Sequence, residues 1–134
     1  MAASLWSAPD GLVSHATAAQ LWGFEDVRTD EVHITVPNRA TASLLARALV
    51  DERLAACVNI MDGVQSVYRW QEKVEESDEV LCLVKTRPEL LDALTERVTA
   101  LHPYDVPEIL AFEVADGSPT YLAWLDASTR PAKS

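Results

Sequence analysis

The chain has 134 residues, 49% of them hydrophobic and 24% charged, with 4 Gly and 7 Pro, which is the composition of one folded domain and excludes a disordered or fibrous chain. A formal net charge of −10 repels phosphate backbones and anionic lipid heads, so nucleic acid is not an expected partner. Cys57 and Cys82 sit inside the apolar runs AACVNI and EVLCLVKT and form no spaced framework, so no disulfide-stapled fold is expected and a reducing compartment fits. The first Lys or Arg is Arg28, and no apolar run near the start has the length or flanks of a signal peptide or membrane span. The expectation is a cytoplasmic protein with no membrane partner.

Residues 1–30 differ in character from the rest and read as an extension of unknown role, in which Ser14 could cap a short helix ending at Gly23. The segment VHITV, Val32 to Val36, is β-branched and bounded by Pro37, so it reads as the first strand. Asn38 is placed to cap a helix whose stripe of Ala42, Leu45, Ala46 and Leu49 faces a sheet, with its end near Arg53. LAACVNI is a nearly continuous apolar strand, and Asp62-Gly63 supplies a bend or bulge before the alternating VQSVYRW. The charged segment WQEKVEESDE reads as the turn to VLCLVKT, closing an antiparallel hairpin.

Pro88 suits the first turn of a second helix, with Leu91, Leu94, Val98 and Leu101 on its apolar stripe and an end at His102. After the loop HPYDVPE come a fourth strand, ILAFEV, a turn at Asp116-Gly117 and a short final helix through Tyr121, Leu122 and Trp124. Residues 31–127 thus form one α/β (α+β) domain, and residues 128–134 read as a loose tail. The order β-α-β-β-α-β is the ferredoxin-like arrangement, with both helices on one face of an antiparallel sheet. The other face would expose Val, Ile and Leu side chains, each forgoing roughly 1.5–3 kcal/mol of burial, so self-association is expected.

Four segments in this order, VPNRATASLLARALVDERLAACVN, VYRWQEKVEESDEVLCLVKT, LHPYDVPEI and YLAWL, resemble the CutA divalent-ion tolerance family over roughly Glu31 to Asp126. The resemblance implies a homotrimer with a role in tolerance to copper(II) or another divalent cation. One departure stands out: family members usually carry Gly where Glu72 stands, and a Glu tolerates positive φ less well.

The resemblance also points to residues. Cys57 matches the family cysteine, a soft ligand for copper or zinc, although a buried thiol in an apolar strand is equally a small hydrophobe. His102 can cap the end of its helix or bind a metal, whereas His15 and His33 have no partner at ligand spacing. Glu108 can add an oxygen donor or pair with Lys85. With no Cys-x-x-Cys or His-x-x-x-His spacing, any metal site must be assembled in space, and neighbouring protomers could bring Cys57, Lys85, His102, Tyr104 and Glu108 to one cleft with Tyr68 or Trp70 nearby. Tyr121 and Trp124 read as trimer packing.

The run EKVEESDE lacks a calcium-loop pattern and reads as solvated surface. Catalysis is not expected, since a Cys57-His102 pair would lack an oxyanion site and an orienting third group. Three readings remain: a trimer binding divalent metal, a scaffold similar in architecture to the PII regulators that takes a small anionic metabolite in its intersubunit cleft, and a purely structural trimer.

Overall fold

The computed structural model describes residues 28–131, so the helix expected between Ser14 and Gly23 lies outside the described residues. Strand β1, Asp30–Val36, alternates as far as Ile34, buries Val32, Ile34 and Val36 completely, and buries Thr35 as well. Helix α1, Arg39–Asp51, starts where Asn38 Oδ1 accepts the Thr41 N–H at 2.8 Å, the cap expected from the sequence. It ends in a Schellman motif, with Leu54 N–H donating to Leu49 O at 2.9 Å and Arg53 N–H to Val50 O at 3.1 Å. Arg53 holds the left-handed position of that motif with φ 59°, where glycine is usual.

Strands β2, Cys57–Trp70, and β3, Lys73–Thr86, form an antiparallel hairpin. After a 3-10 turn at Pro88–Leu90 come helix α2, Leu91–Leu101, strand β4, Ile109–Glu113, and helix α3, Pro119–Ser128. The sheet order is β2-β3-β1-β4 with every pairing antiparallel, which is the ferredoxin-like architecture. The core lies between the sheet and α1 and α2, where Val32, Ile34, Val36, Cys82 and Val84 meet Leu45, Leu49, Leu94 and Val98. Burial pushes the Cys82 thiol up to about 11, so it is a packing group and not a ligand at neutral pH.

One feature of the hairpin departs from expectation. The segment EKVEESDE is not a turn: Lys73 to Glu79 continue β3 and pair with Val64 to Trp70, and the turn is only Gln71 and Glu72. Charge density misled, because Glu75 and Glu76, on opposite faces of an exposed ribbon, meet no burial penalty. Beyond Val80, which pairs with Val36, β3 has no second neighbour, so seven residue pairs project about 23 Å from the sheet as an isolated ribbon.

The bend or bulge expected at Asp62-Gly63 is present as a one-residue bulge. Met61 pairs with Leu81 but Val64 pairs with Glu79, with Gly63 at φ 83°. Because side chains alternate, the extra residue reverses the phase of β2. Ser66, Tyr68 and Trp70 therefore share the face of Cys57, Asn59 and Met61, away from α1 and α2.

Both turn residues have positive φ, 49° at Gln71 and 69° at Glu72, the conformation of a two-residue type I′ hairpin. Glu72 thus occupies the left-handed position at a cost of about 1 kcal/mol relative to an unstrained backbone. Glu72→Gly should slow amide exchange across Val67 to Val74 about fivefold, the equivalent of about 1 kcal/mol. Unchanged exchange would mean that the turn carries no strain.

Thr129 departs from the expected loose tail. It is 2% exposed, its Oγ1 donates to Leu125 O at 3.0 Å, and it anchors Arg87.

Candidate functional site: an acidic, aromatic cleft at the ribbon end of the sheet

A cleft of about 620 Å³ opens where the ribbon leaves the sheet. Its strand wall carries Tyr68, Trp70, Glu75 and Glu79, and its other wall is the loop from α2 to β4 with Tyr104, Asp105 and Glu108. The bulge puts Tyr68 and Trp70 on this wall, and the two-residue period of β3 puts Glu75, Ser77 and Glu79 beside them.

The loop is pinned to β1 through His102, which is buried. Its Nε2 lies 2.7 Å from Thr35 O, and its Nδ1 lies 3.1 Å from the Tyr104 amide nitrogen. A carbonyl oxygen can only accept and an amide N–H can only donate, so Nε2 carries the proton, Nδ1 accepts, and the ring is neutral. The Tyr104 hydroxyl then donates to Glu79 Oε2 at 3.1 Å. Burial, reinforced by the hydrogen bond and charge of Glu79, pushes the Tyr104 phenol up to about 12. Tyr68 is held on the strand side by a 2.7 Å hydrogen bond with Ser77.

The expected ligand and cleft residues separate into two places. Tyr68, Trp70, Tyr104 and Glu108 line the cleft, while Cys57, Lys85 and His102 do not. Cys57 pairs across the strands with Lys85, four residues along β3 from the Leu81 that faces Thr35, a separation of about 13 Å. There Lys85 Nζ donates to Asn59 Oδ1 at 2.6 Å and lies 3.8 Å from Glu31. Tyr121 stands near Cys57, and burial first, then Cys57 itself, pushes its phenol up. Tyr121 packs on Trp124 at 5.4 Å between ring centroids, and both rings are nearly half exposed.

Among the described residues, no three His, Cys, Asp or Glu side chains are grouped to hold a metal ion. Cys57 and His102 therefore fit one metal only if a second protomer supplies one of them. Glu75, Glu79 and Asp105 were not singled out in the sequence. The signal that would have found the first two is the alternation Glu75-Ser77-Glu79, which puts two carboxylates on one strand face.

Residues 31–128 match the family model described as CutA1 divalent ion tolerance protein. The chain is 55% identical over 98 residues to the divalent-cation tolerance protein CutA of Thermus thermophilus, covering 73% of this chain and 95% of that one. It is 52% identical over 99 residues to the protein named CutA, chloroplastic, of Arabidopsis thaliana, covering 74% of this chain and 54% of that one. Its fold is similar to the crystal structure of CutA1 from Oryza sativa, with TM-score 0.76, 49% identity, and coverage of 79% of this chain and 97% of that one. The chain spans only about half the length of the plant relatives, 54% and 56%.

These relatives correct the expectation of a cytoplasmic location. Two are named chloroplastic, and a similar structure from Archaeoglobus fulgidus, 33% identical with TM-score 0.74 and coverage of 76% of this chain and 99% of that one, is called periplasmic. Two free cysteines and a weak start to the sequence carry no address, since this fold serves in several compartments. Among the described residues no helix is long and apolar enough to cross a membrane. With the ferredoxin-like sheet, the CutA1 match over residues 31–128 and a relative 55% identical across nearly its whole length, the chain belongs to the CutA1 divalent ion tolerance family.

Proposed function

We propose that the chain works as a homotrimer that binds divalent cations, copper(II) among them, in metal-ion tolerance, and that it is not an enzyme. The projecting ribbon carries this reading. A two-stranded ribbon is marginal in water on its own, and here it exposes Val67 by 61% and Val74 by 66%. Leu110 and Phe112 on edge strand β4, and Tyr121 and Trp124 on α3, add exposed apolar surface on the same molecule. Laying the ribbon of one protomer against the next buries both sets.

Such an assembly sets one protomer's Cys57 end beside another's His102 and Glu108 end, which supplies a thiolate, an imidazole and a carboxylate to one ion. Binding at His102 Nδ1 displaces only the hydrogen bond from the Tyr104 amide. The anionic-metabolite reading has less support: the cleft is lined by four carboxylates and no Lys, Arg or His, and Lys85 is already engaged by Asn59 and Glu31.

The test is light scattering for the trimer, then copper(II) calorimetry on wild type, Cys57→Ser and His102→Ala. Stoichiometric binding to wild type and its loss in both variants is the expected result, with affinity falling on acidification because every ligand must be deprotonated. Weak binding of equal strength in all three would reduce copper to a counter-ion of an acidic surface.

A further inference from the structure

We propose that His33 makes the assembly of this chain pH-dependent: a neighbouring protomer covers the open face of the sheet while the imidazole is neutral, and leaves it when the imidazole is charged. This rests on the homotrimer proposed above and adds its regulation. The place is the sheet face turned away from α1 and α2. Because β1 buries Val32, Ile34 and Val36 in the core, Glu31 and His33 between them stand on the open face. Strand register continues that face. His33 is flanked by Leu83 on β3 and Leu110 on β4, and Glu31 by Lys85 and Phe112, with Asn59 and Cys57 completing the two rows on β2.

The surroundings of the ring are largely apolar. Leu110 and Phe112 stand about half exposed, and the His33 ring lies against the Phe112 ring with centroids 4.4 Å apart. In the single protomer the His33 side chain keeps 30% of its surface in water, which solvates either form of the ring. A neighbour laid over Leu110 and Phe112 removes that water.

The balance of charge then decides which form is tolerated. His33 Nε2 lies 2.7 Å from Glu31 Oε1, and Lys85 Nζ lies 3.8 Å from Glu31 Oε2. A carboxylate only accepts, so the neutral ring already donates from Nε2 to Glu31. With the ring neutral, the Glu31 carboxylate and the Lys85 ammonium cancel. A second ring proton, on Nδ1, leaves one positive charge in excess per protomer on a face covered by hydrocarbon, which is costly. Nothing nearby offsets it. Leu83 and Leu110 flank the ring, α1 and α2 lie on the other face, and Cys57 on β2 with Tyr121 of α3 near it stands beyond Lys85. Glu79, on the same face, is four residues along β3 from Leu83, about 13 Å away, and its carboxylate accepts from Tyr104. Covering the face therefore favours the neutral ring. The assembly keeps its full stability above the range in which histidine takes a proton, about pH 5–8, and loses it as pH falls through that range.

The test is sedimentation velocity on the full chain at one protein concentration from about pH 8 to about pH 5.5, with a chelator present so that no metal ion joins protomers. A trimer at the upper end and a protomer still folded by circular dichroism at the lower end are expected. The trimer dissociation constant should rise by up to about a thousandfold per pH unit, tenfold for each of three protons. His33→Gln, whose amide still donates to Glu31 but cannot charge, should stay trimeric throughout. Lys85→Met, in which a protonated His33 only neutralises Glu31, should also resist dissociation by acid. A wild type that stays trimeric to the lower limit would overturn the inference and leave the homotrimer standing, whereas a protomer at every pH would overturn the homotrimer itself. Acid dissociation that persists in His33→Gln would assign the effect to another group, His102 first, and overturn the proposal.

Discussion

Leu94→Ala is expected to lower the free energy of unfolding by about 2–5 kcal/mol, the range for removing a buried leucine side chain. Leu94 is fully buried on α2 and belongs to the cluster that joins both helices to the sheet through Ile34, Cys82 and Val84. Its neighbours come from separate elements, so collapse around the cavity would require several of them to move together. Leu44 is the matched control, since it lies on α1 but is 55% exposed, and Leu44→Ala should change stability far less. Urea unfolding at one fixed protein concentration makes the comparison, because an assembled protein has concentration-dependent stability. Equal losses at the two positions would mean that the core does not lie between the helices and the sheet.

Arg87→Met should cost about 3 kcal/mol and release helix α3 from the body of the domain. The Arg87 side chain is 10% exposed and donates from Nε to Thr129 Oγ1 at 2.8 Å, from Nη2 to Thr129 O at 3.0 Å, and from Nη1 to Glu89 at 2.6 Å. Methionine fills much of the space but leaves the buried Thr129 acceptors without donors. Limited proteolysis should then cut within Pro119–Ser128, a segment that should resist cleavage in the wild type. Continued resistance would show that the packing of Leu125 alone holds the helix.

Acid should weaken the same junction. Two hydrogen bonds from Arg130, at 2.8 and 2.9 Å, together with the charge of Arg87 4.0 Å away across the junction, outweigh burial and hold the Asp126 carboxyl below its usual value of 3.8. A carboxyl depressed in the folded state adds stability that is fully present above the unfolded value and is lost as pH falls through the folded one. Detachment of α3 should therefore begin only below the ordinary aspartate range. Asp126→Asn should remove that dependence, as read by proteolysis across a pH series.

Much of the fold was legible in the sequence because its signals are local. Asn38 before an apolar stripe, Pro88 at a helix start, and the β-branched VHITV each act within a turn or two of chain, and each sits where expected. The CutA-like segments were legible for the same reason. What misled was composition used in place of pairing. Glutamates between Trp70 and Val80 looked like a turn, yet a long partner strand held them extended.

The candidate site was only partly readable. Tyr68, Trp70, Tyr104 and Glu108 were named from their segments, and the structure gathers them in one cleft; Cys57 and Lys85 were named too, and it sets them at the other end of the sheet. Glu75, Glu79 and the Arg87 anchor on Thr129 went unseen. By itself the sequence determined the order of the elements and the buried stripes of α1 and α2, since these follow from periodicity and caps along a few residues, and the family, through its matching segments. Only the tertiary structure decided the face on which Tyr68 and Trp70 lie, the length of the ribbon, and the meeting of Glu79 with Tyr104. Each depends on a register between strands or a contact between distant segments, and a bulge of one residue is enough to reverse it.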